Sequence, residues 1–160
     1  MSAVHAIADQ SPPRPALAAG ETVGGPRRPG LNVLVVDDDP SNLECANDLL
    51  RGLGITPTLA EDGAKAVALA GARTFDLILM DLQMPLLDGL AATKRIRADE
   101  HERSAARVPV LAYTGCALDG KLLRDCGLDG VLGKPCTARA LQDCLLRWCA
   151  RDLASAGAAP

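Results

Sequence analysis

Histidine is scarce in this chain: two in 160 residues, one of them, His5, in the first thirty. The six cysteines, at 45, 116, 126, 136, 144 and 149, include no CxxC pair. Together these shortages argue against a zinc site and against a disulfide framework. The thiols are expected instead as buried or half-buried small apolar residues. No apolar run approaches the roughly 18 residues that would span a bilayer. The first thirty residues lack the apolar core of a signal peptide, so a cytoplasmic setting is the expectation. Charge of one sign is also lacking. A formal net charge of −3 gives no argument for nucleic acid or for direct membrane contact. What remains is ordinary for a globular protein, at 48% hydrophobic and 23% charged residues, and the length suits one domain.

Residues 1–30 include "SPPRPALAAGETVGGPRRPG", rich in Pro, Gly and Ala without period, and read as a flexible tail or linker. From Leu31 the texture changes. Apolar runs that each end at a polar or turn residue predict strands: "LNVLVV" before Asp37, "DLILM" before Asp81, "VPVLAY" before Thr114 and "GVLG" before Lys134. A weaker run, "TPTLA", covers 56–60. Between them the spacing predicts helices over Asn42–Leu53, Ala64–Arg73, Leu90–Arg97, about Ala117–Cys126 and about Thr137–Leu153. In the last, Leu141, Leu145 and Trp148 fall at i, i+4 and i+7, an apolar face on which Trp148 reads as packing. Five alternations of strand and helix imply an α/β fold, a parallel sheet with helices on both faces. The domain is expected over 31–153, with 154–160 as a C-terminal tail too short for an output domain.

The charged residues sit where such a sheet does its chemistry, at the carboxyl ends of strands. Asp37 and Asp38, Asp81, Thr114 and Lys134 each follow or close an apolar run. An ionised carboxylate next to a buried strand is costly unless something pairs with it. Three converging carboxylates would repel one another, and a hard cation such as Mg²⁺ relieves this. Lys134 adds a movable positive charge and Thr114 a hydroxyl donor. These are parts that can hold a phosphoryl group on or beside a carboxylate, with Asp81 as acceptor. The local alternative is capping: Asp before Pro-Ser-Asn would serve the first helix equally well.

The segments "VLVVDDDPSN", "LILMDLQMPLLDG", "VPVLAYTG" and "GVLGKP", in that order, resemble the receiver domain of two-component response regulators. The resemblance implies a flavodoxin-like, doubly wound, five-stranded parallel sheet in the order 2-1-3-4-5, with five helices. It implies that Asp81 is phosphorylated, that Asp37 and Asp38 organise Mg²⁺, and that Gln83 lends the metal its main-chain carbonyl. It implies that Thr114 and Lys134 contact the phosphoryl oxygens and that the Lys134–Pro135 bond is cis. The implied partner is a histidine kinase or a histidine phosphotransfer domain, from whose phosphohistidine the chain takes its phosphoryl group. Such a module catalyses its own phosphorylation and dephosphorylation and is no enzyme toward a separate metabolite. "DDDPSN" with "DLQMPLLDG" is most similar to receivers of hybrid sensor kinases; a stand-alone regulator fits as well.

Two departures from the family pattern stand out. Val131 occupies a position that is often Tyr or Phe and whose rotation accompanies activation. The segment between Thr114 and Lys134 is slightly short, which compresses the fourth helix. Gly115, where alanine is commonest, is compatible with a phosphoryl pocket. Two other functions were weighed. A haloacid-dehalogenase-type phosphohydrolase would use "VVDDDPS", but it needs a later acidic pair where this chain has "TGCA". A degenerate receiver acting only as a protein-binding scaffold would need no intact acidic set.

Overall fold

A computed structural model describes residues 30–149. The expected tail 1–30, save Gly30, the expected tail 154–160 and the expected end of the last helix, 150–153, lie outside the described residues. The elements run β1 (Val33–Val36), α1 (Pro40–Gly52), β2 (Thr58–Ala60), α2 (Gly63–Ala72), β3 (Leu77–Met80), α3 (Gly89–Glu102), β4 (Val110–Thr114), α4 (Gly120–Cys126), β5 (Gly130–Gly133) and α5 (Ala138–Cys149). The strands form one parallel sheet in the order β2-β1-β3-β4-β5. The order therefore switches between β1 and β3, and the carboxyl ends of these strands are where sheets of this kind place their sites.

The continuous apolar strands have two buried faces, and successive side chains supply one each. Val33, Val35, Leu77, Leu79, Leu111 and Tyr113 join Ala46 and Leu50 of α1 and Leu141 and Leu145 of α5 in one cluster. Leu34, Val36, Ile78, Met80, Val110 and Ala112 join Ala66 of α2, Ala92 and Ile96 of α3 and Cys126 of α4 in the other. Burial of every residue of β1, β3 and β4 follows from this two-sided packing.

Aspartates begin four of the helices. Asp39, Asp62, Asp88 and Asp119 accept from backbone amides of Ser41, Lys65, Ala91 and Lys121 respectively. The capping alternative is thus correct for Asp39, with Pro40 in the first turn. Two helices differ from expectation. α4 begins at Gly120 because Asp119, not a residue near Ala117, supplies the cap. α3 runs to Glu102, five residues past Arg97, although its apolar period stops at Ile96. Its last turns are held by polar contacts: Arg103 pairs with Asp99, and Arg97 with Glu100 and with Asp129 beyond the helix.

The six cysteines, all among the described residues, form no disulfide. Cys126, Cys144 and Cys149 are buried and Cys136 is half-buried, whereas Cys45 and Cys116 are exposed, against the expectation for those two. Among the described residues no helix is long and apolar enough to cross a membrane.

Candidate functional site

β1, β3, β4 and β5 deliver their polar ends to one place. Asp37, wholly buried, follows β1; its amide donates to the Ala60 carbonyl at 3.1 Å, an extension of the sheet. Its Oδ1 accepts from the Asp39 amide at 2.9 Å and from Asn42 Nδ2 at 3.3 Å. Asp81 extends β3 in the same way, its amide donating to the Val36 carbonyl at 2.9 Å. It is 6% exposed, and its Oδ1 accepts from the Gln83 amide at 3.2 Å. Asp38, the next residue after Asp37, is exposed. The carboxylate oxygens of Asp37, Asp38 and Asp81 lie within 4.8 Å of one another, close enough to share one cation.

Lys134 closes β5 and reaches across two strands. Its Nζ is in direct contact with Asp37 Oδ2 and lies 3.7 Å from Asp81 Oδ2. The lysine therefore pairs first with Asp37 and lies farther from Asp81. Its ammonium also sits 4.7 Å from the centre of the Tyr113 ring, a cation–π contact that gives this buried tyrosine more than a packing role. Thr114 ends β4, 5% exposed, and its hydroxyl accepts from the Cys116 amide at 3.2 Å. The Lys134 amide donates to the Thr114 carbonyl at 2.9 Å, which ties the two residues together across the strand pair. The Lys134–Pro135 bond is cis.

Gln83 is exposed beside Asp81, joined to it through its amide. Val131 lies on β5 opposite Ala112 and is 42% exposed. The sequence does not single out Asn42 or the amides of Gln83 and Cys116, and it gives Tyr113, which precedes Thr114 on its strand, a structural use. Only Asn42 carried a signal, as the last residue of "DDDPSN".

The loop after β3 is closed by a glycine. A Cβ on Gly89 would stand 2.0 Å from the Asp81 carbonyl oxygen, so only glycine lets α3 begin this close to Asp81.

Electrostatics follow from the crowding. Asp81 is held above its ordinary pKa of 3.8, first by burial and then by the carboxylates of Asp37 and Asp38. The Gln83 amide and Lys134 oppose this but do not overcome it. An acid set with one ammonium is short of positive charge. Three hard oxygen donors, one of them open to solvent, suit a small divalent cation such as Mg²⁺.

The response regulator receiver domain family matches residues 33–146. The chain is 41% identical over 118 residues to the sensor protein GacS of Pseudomonas syringae pv. syringae, covering 72% of this chain and 13% of that protein. It is 38% identical to hybrid signal transduction histidine kinase E of Dictyostelium discoideum, covering 73% of this chain and 7% of the kinase. The chain thus spans a small part of the length of such curated relatives. Among solved structures, the receiver domain of the sensor histidine kinase PA1611 of Pseudomonas aeruginosa PAO1, with a magnesium ion in its active-site cleft, is 41% identical. Its TM-score is 0.66, over 74% of this chain and 97% of that one. The Saccharomyces cerevisiae receiver domain of Ssk1, crystallised with the histidine phosphotransfer protein Ypd1, is 31% identical. Its TM-score is 0.69, over 74% of this chain and 88% of that one.

Proposed function

The chain belongs to the response regulator receiver domain family, and from that premise we propose that Asp81 accepts a phosphoryl group from a phosphohistidine. The observation that carries the proposal is a cluster in which carboxylate oxygens of Asp81, Asp37 and Asp38 lie within 4.8 Å of one another, with Lys134 bridging two of them.

The step is a displacement at phosphorus. An Asp81 carboxylate oxygen forms the new P–O bond as the N–P bond to the donor imidazole breaks, and the imidazole leaves with the electron pair and takes up a proton. Asp37, Asp38, Asp81 and the Gln83 carbonyl would hold Mg²⁺. When bound, the ion neutralises the carboxylates and shields the charge of the incoming phosphoryl oxygens. Lys134 is already poised between Asp37 and Asp81, and it can follow a phosphoryl oxygen without leaving Asp37. The Thr114 hydroxyl, at the end of a strand bonded to that of Lys134, can turn and donate to a second oxygen. Burial of Asp81 keeps bulk water from the acyl phosphate, so hydrolysis is slowed but not prevented. The partner is a histidine kinase or a histidine phosphotransfer domain, and the compartment is the cytoplasm. The intact and convergent acidic set argues against the scaffold-only alternative, which only the departure at Val131 favours.

Acetyl phosphate and Mg²⁺ test the proposal. Wild type should gain one phosphoryl group by intact mass, and Asp81→Asn should gain none. Failure of wild type to react, or equal reaction of the variant, would overturn it.

A further inference from the structure

Tyr113 is the chain's only tyrosine. It is 3% exposed in β4, opposite Leu132 of β5. Side chains alternate between the two faces of a strand. Val33 and Val35, Leu77 and Leu79, Leu111 and Tyr113, and Leu132 all belong to the cluster shared with α1 and α5. Asp37, Asp81 and Lys134 continue these strands, their amides bonded to the carbonyls of Ala60, Val36 and Thr114. By the same alternation they fall on the Tyr113 side. Thr114, in step with Val110 and Ala112, falls on the other. Two acids, the lysine and the ring therefore share one face of the sheet at its carboxyl edge.

On that face the Lys134 ammonium meets the Asp37 carboxylate in direct contact, Asp81 at 3.7 Å and the centre of the Tyr113 ring at 4.7 Å. Leucine or valine would fill the strand position as well as tyrosine does. Only an aromatic ring turns an electron-rich face to an ammonium, and that attraction grows where water is excluded. The ring makes the contact, not the hydroxyl, which has no hydrogen-bond partner among the described residues. Burial pushes the phenol up to about 12, so the ring stays uncharged at neutral pH.

The three partners differ in constancy. A hard cation takes carboxylate oxygens, and a phosphoryl group on Asp81 would occupy one of them. Both events weaken the hold of Asp37 and Asp81 on the lysine, whereas the ring face binds neither and its attraction is unchanged. A lysine stem is flexible and swings away readily once its charge partners are satisfied. We infer that Tyr113 is a positioning residue whose ring holds the Lys134 ammonium beside Asp81 while the carboxylates change partners, so that the lysine meets the phosphoryl oxygens from a fixed place. The inference rests on the phosphoacceptor reading above.

Three substitutions and two readouts test it. Tyr113→Phe keeps the ring; Tyr113→Leu and Tyr113→Met keep apolar burial without it, and either serves if it melts cooperatively. The chain has four lysines, of which Lys65, Lys94 and Lys121 are exposed, so the Lys134 ε-methylene protons are readily assigned by NMR. In wild type and Tyr113→Phe those protons should lie upfield of the other lysines through the ring current, and stay there when Mg²⁺ is added. In the ringless variant they should return to the common position. With acetyl phosphate and Mg²⁺, the ringless variant should load threefold or more slowly than wild type while its Mg²⁺ affinity stays within twofold. Tyr113→Phe should recover most of the rate. Absence of the upfield shift in wild type, a measurement that needs no variant to fold, would overturn the inference. So would loss of the shift on adding Mg²⁺, a rate loss under threefold, a rate loss accompanied by weaker Mg²⁺ binding, or Tyr113→Phe as slow as the ringless variant. If wild type does not react with acetyl phosphate, the phosphoacceptor reading itself falls. If it reacts and the ringless variant matches it, only the role of Tyr113 falls.

Discussion

Removing the charge of Asp81 should stabilise the metal-free protein, although the residue is central to the proposed function. Three carboxylates lie within 4.8 Å of one another, and at an effective dielectric constant of ~20 each such pair repels by roughly 3.5 kcal/mol. Asp81 faces two of them and is attracted by Lys134 at 3.7 Å, an interaction of roughly 4.5 kcal/mol on the same scale. The balance is unfavourable by roughly 2–3 kcal/mol. Exposure of Asp38 screens part of it, so Asp81→Asn should raise stability by about 1–2 kcal/mol, or roughly 4–8 °C in Tm. The gain depends on pH with a definite sign. Because the folded pKa of Asp81 lies above 3.8, the native state holds its proton more tightly than the unfolded chain does. Wild type is therefore relieved of the penalty below about that pH and loses stability as pH rises through the raised folded value. The advantage of Asp81→Asn should be small in acid and full at neutral pH. Mg²⁺ should erase it, because the ion binds the folded acidic set of wild type and adds to its stability by mass action. Urea denaturation of both proteins, with EDTA and with saturating Mg²⁺, measures all of this. A variant less stable than wild type in EDTA, or an equal Mg²⁺ shift in both, would refute the reasoning.

Three other substitutions probe the frame around the site. Gly89→Ala places a Cβ 2.0 Å from the Asp81 carbonyl oxygen, and the start of α3 must move to admit it. It should cost about 2–3 kcal/mol and abolish the Mg²⁺-dependent rise in Tm; a normal melt with a normal Mg²⁺ shift would contradict the close approach. Arg97→Ala strands Glu100 and removes bonds to Asp129 and to the carbonyls of Val108 and Gly127, at a side chain only 12% exposed. A loss of about 3 kcal/mol by urea denaturation is expected, whereas a change under about 0.5 would show that the network contributes little. Val131, 42% exposed on β5, has one stiff χ1 and no long side chain to swing inward, so beryllofluoride should change partner affinity only about tenfold in wild type. Val131→Tyr should enlarge that ratio; a hundredfold response in wild type, by titration calorimetry, would show that Val131 does not limit the switch.

How much of this was legible beforehand depended on whether the cause was local. The strands could be read because each is buried on both faces and so is apolar at every position, as in Val33–Val36 and Leu77–Met80. The polar residues ending those runs could be read as a site because parallel strands share one carboxyl edge, which brings Asp37, Asp81, Thr114 and Lys134 together whatever their separation in sequence. The end of α3 could not. Its last turns have no apolar face, and they persist through Arg97, whose partners include Asp129, 32 residues away. Pairing of Lys134 with Asp37 across 97 residues was equally hidden, because sequence order shows which charges converge but not which two touch.

Leu86 shows the deeper limit. Nothing in "MPLLDG" marks one leucine as half-buried and the other as wholly exposed in a strained turn. The difference is imposed by Gly63 and Gly89, whose missing side chains let the loop be clamped between α2 and the end of β3. Helix starts and buried strands are set by rules acting over a few residues, so composition and spacing reveal them. A strained turn is set by what its flanks cannot avoid, and those contacts come from elsewhere in the fold.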